Sequence, residues 1–167
     1  MRNIDISIGN GRALIVREVF TGNNNYMKSG INIRKVLNKL NELDFNIAKE
    51  RHAFGEIYEG ILKDLQSAGK SGEYYTPRAI TNFITNMISP KLGERILDPS
   101  CGTGGYLTSA IEHLKKQANS VEERQSIQEN VMGWEYKPLP YLLATTNLIL
   151  HDIELPRIVF RDSLDRP

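Results

Sequence analysis

The stretch ERILDPSCGTGGYL, from Glu94 to Leu107, decides how the rest of the chain is read. The short apolar run Ile96-Leu97 leads into an aspartate, a proline, the lone cysteine and three glycines. A run with helical spacing follows, with Leu107, Ala110, Ile111 and Leu114 on one face. This is the order of a buried strand, a tight turn and a helix. Downstream the pattern repeats. VMGW reads as a second strand, PLPYLLATTNLILH as a second helix opened by prolines, and RIVFRDSL contains a third strand. Strands joined by helices imply a parallel sheet with crossover connections, so the C-terminal half is α/β. Between the first helix and second strand, Ser120 and Glu123 have the spacing of a capping box, which predicts one further helix.

Upstream, the chain is helical. IDISIGNG alternates as a strand would, and RALIVREVF favours a helix. Ile33, Val36, Leu37, Leu40 and Leu43 follow helical spacing, as do Phe54, Ile57, Tyr58, Ile61, Leu62 and Leu65. These two stripes are expected to pack on each other and on the α/β half. QSAGKSGEYYTP reads as a linker, with Thr76 as N-cap and Pro77 as first residue of a helix. That helix is expected to bury Ile80, Phe83, Ile84, Met87 and Ile88. The expected division is a helical region over 1–70 and an α/β unit over 71–167.

Composition narrows the class without giving a function. The 167 residues are 40% hydrophobic and 25% charged with a net charge of +1, so there is no overall basic excess to bind nucleic acid. One cysteine excludes an internal disulfide and fits a reducing compartment. The N-terminus lacks the apolar core of a signal peptide, and no apolar run approaches the ~20 residues of a membrane span. A cytoplasmic chain is expected. His52, His113 and His151 are scattered in sequence, no metal site is expected, and Cys101 reads as a small buried filler.

In open α/β sheets, ligands bind beyond the carboxyl ends of the strands. Asp98 and the glycine turn follow the first strand, Glu135 the second and Asp162 the third. The turn lacks the lysine of a phosphate loop and the third glycine of a dinucleotide fingerprint. Asp98 would also repel a pyrophosphate. A ligand carrying a cation near the turn and a ribose near the second strand fits better, and S-adenosylmethionine is such a molecule. Glycines let the main chain approach it closely, and Glu135, as an acceptor-only carboxylate, can take both ribose hydroxyls. Asp162 can accept from the adenine amino group. Each acidic residue also has a plainer reading, as a solvated loop residue or a cap.

SGEYYTPRAITNFI, ILDPSCGTGGYL, GWEYKPLPYLLATTNLILH and RDSL together resemble the modification subunit of type I restriction–modification systems, from Asn32 onward. The resemblance implies the first half of a Rossmann-like S-adenosylmethionine-dependent methyltransferase sheet behind a helical N-terminal region. It implies DNA adenine-N6 methylation, with DNA, a specificity subunit and a restriction subunit as partners. It also implies that the helices between Ile33 and Leu65 contribute to DNA and subunit contacts. On the matching motifs, it implies cofactor contacts by Tyr75, Thr76 and Pro77, by Asp98, Ser100, Gly102, Thr103, Gly104 and Gly105, and by Glu135, Asp162 and Ser163.

The family's catalytic Asn-Pro-Pro-aromatic motif, which receives an adenine flipped from the duplex, is absent, since no Pro-Pro occurs in the sequence. No catalytic residue is therefore assigned. The chain reads as an N-terminal fragment, inactive alone, with an exposed sheet edge that could pair with another copy. The alternative is a non-catalytic cofactor-binding or subunit-assembly module. A methyltransferase acting on protein glutamine or RNA is a nearer rival.

Overall fold

The computed structural model describes residues 11–21, 27–44, 47, 53–55, 57–58, 60–62, 64 and 76–165. The strand expected in IDISIGNG, most of the linker before Thr76, and Tyr75 lie outside these residues. Helices α1 (Gly11–Phe20) and α2 (Gly30–Leu40) come first, then helical turns between residues 53 and 64. They are followed by α3 (Arg78–Ile88), β1 (Ile96–Asp98), α4 (Gly105–Lys115), α5 (Val121–Asn130), β2 (Val131–Glu135), α6 (Pro138–Leu150) and β3 (Arg157–Phe160).

The strands form a parallel sheet in the order β1-β2-β3, with Asp98 opposite Gly133 and Glu135 opposite Phe160. This register sets the carboxyl ends side by side. The stripe read from the sequence on α4 is the core: Leu107, Ala110, Ile111 and Leu114 are buried, and most of them pack with Val131, Ala144, Leu148 and Ile158. The capping box opens α5 as expected. Ser120 Oγ accepts from the Glu123 backbone N–H, and the Glu123 carboxylate accepts from that of Ser120.

Gly133 stands at the centre of this packing. A methyl group there would lie 2.7 Å from Leu107 Cδ1 and 2.9 Å from both Cys101 Sγ and Ile158 Cδ1. The missing side chain lets the helix layer press against β2.

Several expectations fail for packing reasons. β1 is not a buried strand, because it lies at the sheet's edge in the described residues and Leu97 is 49% exposed. The helix starting near Pro77 turns its apolar side outward: Phe83, Met87 and Ile88 are 63%, 68% and 73% exposed, and Ile80 is exposed too. Its buried residues are Thr81 and Thr85. The partner surface on α4 explains this, since it offers Gly105, Thr108 and Ser109, and Ser109 Oγ donates to Thr81 Oγ1 at 2.8 Å. Small hydroxyl residues on both helices allow close approach and satisfy one another. The apolar side of α3 instead borders a groove of about 270 Å³ lined by Ile84, Ile88, Leu97 and Tyr106.

The N-cap of α3 is Pro77 rather than Thr76. The Pro77 carbonyl accepts from the N–H groups of Ile80 and Thr81, and no side chain caps the helix. The two upstream stripes pack only in part as expected, the second of them on the α/β half. α2 buries none of its residues, and Val36, Leu37 and Leu40 are exposed. In the next segment Tyr58 and Leu62 are buried against Leu150, with the Tyr58 hydroxyl donating to the Leu143 carbonyl at 2.9 Å. Ile57 and Ile61 of the same stripe stay exposed. α1 packs on α6 and adds Ile15 to the core.

At the end away from the strand tips, His151 Nε2 lies 3.2 Å from the Glu112 carboxylate, joining α4 to α6. This hydrogen bond is the main reason the Glu112 carboxyl is held below its ordinary value of 4.5. A carboxyl with a lower pKa in the folded state stabilises the fold above its unfolded value, and that contribution disappears as pH falls through the folded value. The Glu112 side chain is half exposed, so the effect is small, under about 1 kcal/mol. The expected result is that Glu112→Gln melts slightly below the parent near about pH 7, with the gap closing as pH falls below the ordinary carboxyl range. Thermal melts across this range test it, and a gap that widens on acidification contradicts it.

Candidate functional site

The site is built from the turn after β1. Two of its glycines, Gly102 (φ +55°) and Gly104 (φ +81°), take the left-handed conformation that a side chain disfavours. At Gly104 the local space is tight as well: a methyl group would sit 3.2 Å from Leu148 Cδ1, which would have to give by a few tenths of an ångström, and in contact with the Ala144 backbone at 3.6 Å. Gly102 differs: among the described residues, nothing lies within 4 Å of where its Cβ would be. One glycine admits α6, and the other faces open space.

Backbone hydrogen bonds tie the turn to the second strand. Cys101 N–H donates to the Trp134 carbonyl at 3.0 Å, and Gly104 N–H donates to the Cys101 carbonyl at 2.8 Å. Glu135 completes the link through its side chain. One carboxylate oxygen accepts from Gly102 N–H at 2.9 Å and the other from Lys137 N–H at 2.7 Å. A carboxylate offers about four acceptor positions, so among the described residues each oxygen keeps one free. Asp98 accepts from Ser100 N–H at 3.1 Å. Burial pushes the Asp98 carboxyl above its ordinary value of 3.8; the Ser100 hydrogen bond opposes this, and the charge of Glu135 adds to it. Two carboxylates therefore share the turn.

The neighbouring Cys101 thiol is buried and pushed up to about 12, first by burial and then by Asp98 and Glu135. It is inert as a nucleophile near neutral pH, in keeping with its reading as a filler.

The structure brings together Asp98, Ser100, Gly102, Thr103, Gly104, Gly105 and Glu135. Next to Thr76 and Pro77 in the chain, the Arg78 guanidinium donates to the Gly105 carbonyl at 2.8 Å and to the Thr108 hydroxyl. Asp162 lies just beyond Phe160, the residue opposite Glu135, and Arg161 N–H donates to the Glu135 carbonyl at 3.0 Å. The Asp162 carboxylate is exposed and accepts from Leu164 N–H at 2.9 Å, closing a turn that contains Ser163.

Other residues join the site that the sequence reading did not single out. Tyr136 and Phe160 stack at 6.3 Å between centroids with an 11° interplanar angle, forming an aromatic shelf beside Glu135. The Arg161 guanidinium lies 4.4 Å over the Trp134 ring. From α6, Asn147 Nδ2 donates to the Thr103 carbonyl at 2.9 Å. Signals existed for two of them: an aromatic residue directly after an acidic strand end, and an amide inside the otherwise apolar NLIL run.

This glycine turn with acidic tips on parallel strands matches a family model described as N-6 DNA Methylase, over residues 49–167. The chain belongs to the N-6 DNA methylase family. It is 51% identical over 160 residues to the type I restriction enzyme EcoEI methylase subunit of Escherichia coli, covering 95% of this chain and 33% of that protein. A modification subunit assigned to a type I restriction enzyme of Vibrio vulnificus YJ016 superposes with a TM-score of 0.79 at 42% identity, covering 93% of this chain and 33% of that one. A chain from a structure of the assembly and conformational transition of the type I R-M system superposes at 0.85 with 30% identity, covering 98% and 34%. The chain thus spans about a third of the length of these methylase relatives, and its fold is part of their Rossmann-like methyltransferase fold. No helix among the described residues is long and apolar enough to cross a membrane.

Proposed function

We propose that this chain is the S-adenosylmethionine-binding part of a type I methylase subunit that methylates the N6 amine of adenine in DNA. The carrying observation is the pair of carboxylates, Asp98 and Glu135, converging on a turn with open space at Gly102. Two negative groups on one turn call for a ligand that carries positive charge and hydrogen-bond donors, and S-adenosylmethionine has both. Asp98 would hold its ammonium group, and the free acceptor positions of Glu135 its ribose hydroxyls. The Tyr136–Phe160 shelf and Asp162 would hold the adenine. Bound there, the cofactor supplies an activated methyl on a sulfonium.

The chain's own residues bind and orient, which is where proximity catalysis gains its rate. Thr76, Pro77, Tyr75, Ser100 and Ser163 are proposed as further contacts around it. The helical region over 1–70 is proposed to serve the cofactor unit over 71–167 through DNA and subunit contacts. DNA, a specificity subunit and a restriction subunit are the proposed partners, in the cytoplasm.

Calorimetric titration with S-adenosylmethionine tests the reading. A cationic ligand beside Asp98 lowers the raised carboxyl pKa, so binding releases a proton when that carboxyl is protonated beforehand. Affinity is therefore expected to rise as pH climbs through the Asp98 range and then to level off. Asp98→Asn should bind more weakly and lose this dependence. A parent chain that gives no binding heat at any pH in this range would sink the proposal.

A further inference from the structure

Asn147 is 1% exposed on α6, and its Oδ1 has no hydrogen-bond partner among the described residues. A buried acceptor without a partner carries its full desolvation cost. An apolar residue of similar size would avoid that cost, so packing alone does not account for an amide here. What the amide does is hold one peptide group. The peptide joining Thr103 to Gly104 has its N–H on the Cys101 carbonyl at 2.8 Å and its C=O on Asn147 Nδ2 at 2.9 Å. It lies in a turn where Gly102 and Gly104 both have positive φ. Glycine accepts either sign of φ, so this peptide could turn over at little steric cost. Turning over would break both hydrogen bonds and exchange donor for acceptor on the surface of the turn.

We propose that Asn147 is a positioning residue that locks the Thr103–Gly104 peptide in the orientation the cofactor turn needs. The inference rests on the S-adenosylmethionine reading for its purpose, while the lock itself is testable without ligand. Asn147→Leu removes the donor and the unpaired acceptor together. Thr145→Val is the control: Thr145 is also buried on α6, but its hydroxyl donates to the Tyr141 carbonyl within the helix.

Amide exchange by NMR on the ligand-free 167-residue chain reads the lock. Exchange of the Gly104 amide should accelerate by roughly tenfold in Asn147→Leu and stay unchanged in Thr145→Val. The Thr108 amide, which donates to the Gly104 carbonyl at 2.9 Å, should keep its protection in both. Affinity for S-adenosylmethionine should fall by about five- to tenfold in Asn147→Leu alone. Asn147→Met, more adaptable in shape, serves if leucine is not accommodated. Unchanged Gly104 exchange overturns the proposal, as does equal loss of protection at Gly104 and Thr108, or loss of the fold in both apolar variants. If the parent binds no cofactor, the functional reading fails, and the Gly104 amide still decides whether the lock exists.

Discussion

Gly133→Val is expected to cost this domain about 3 kcal/mol, a large share of the roughly 5–15 kcal/mol that holds a typical domain folded. Judged by strand preference, the change should help, because valine favours strands and glycine weakens their interiors. The structure reverses that expectation. The first carbon added at position 133 meets Leu107, Cys101 and Ile158 at 2.7–2.9 Å, closer than non-bonded carbons or sulfur can sit. Leu107 is fully buried and Ile158 is buried too, so relieving the clash requires the core around them to repack. Because α4 starts at the glycine turn, the damage should spread from the core to the site. The check is a urea unfolding curve for Gly133→Val beside Gly133→Ala, with alanine showing the smaller loss. A valine variant with an unchanged midpoint would mean that the helix layer does not press on β2 as described.

The same residue shows what was legible in the sequence. The succession of strands and helices along the chain, the α4 stripe and the capping box at Ser120 depend on local spacing, and all were readable from it. The acidic strand tips were readable too, because parallel strands place their carboxyl ends together whatever the side chains are. What escaped reading depends on partners distant in sequence. α3 has the apolar period of a buried helix, yet Thr81 and Thr85 face inward because α4 offers small hydroxyl residues there. No window around α3 contains that information. α2 likewise has a clear stripe and buries nothing among the described residues, since a period says which side is apolar and not what covers it. Asn147 reaches a carbonyl 44 residues earlier, a distance no local pattern records.

Glu135→Ala should weaken S-adenosylmethionine binding by about a hundredfold or more, taking two hydrogen bonds from ligand hydroxyls to a charged acceptor at about 1.5–3 kcal/mol each. The side chain has two tasks, however. It also accepts from the N–H groups of Gly102 and Lys137, so its loss could loosen the turn without any direct contact to ligand. A ligand series separates the two. If Glu135 binds the ribose, an analogue lacking one ribose hydroxyl binds the parent less well, and the substitution costs that analogue less than it costs the cofactor. Such non-additivity is the signature of groups in contact. If Glu135 only shapes the turn, the substitution weakens both ligands by the same factor. Glu135→Gln sharpens the comparison, because its amide NH₂ must face either Gly102 N–H or Lys137 N–H, a donor against a donor. Titrations of both ligands into all three proteins decide between the tasks, and equal penalties throughout would remove Glu135 from the proposed ribose contacts.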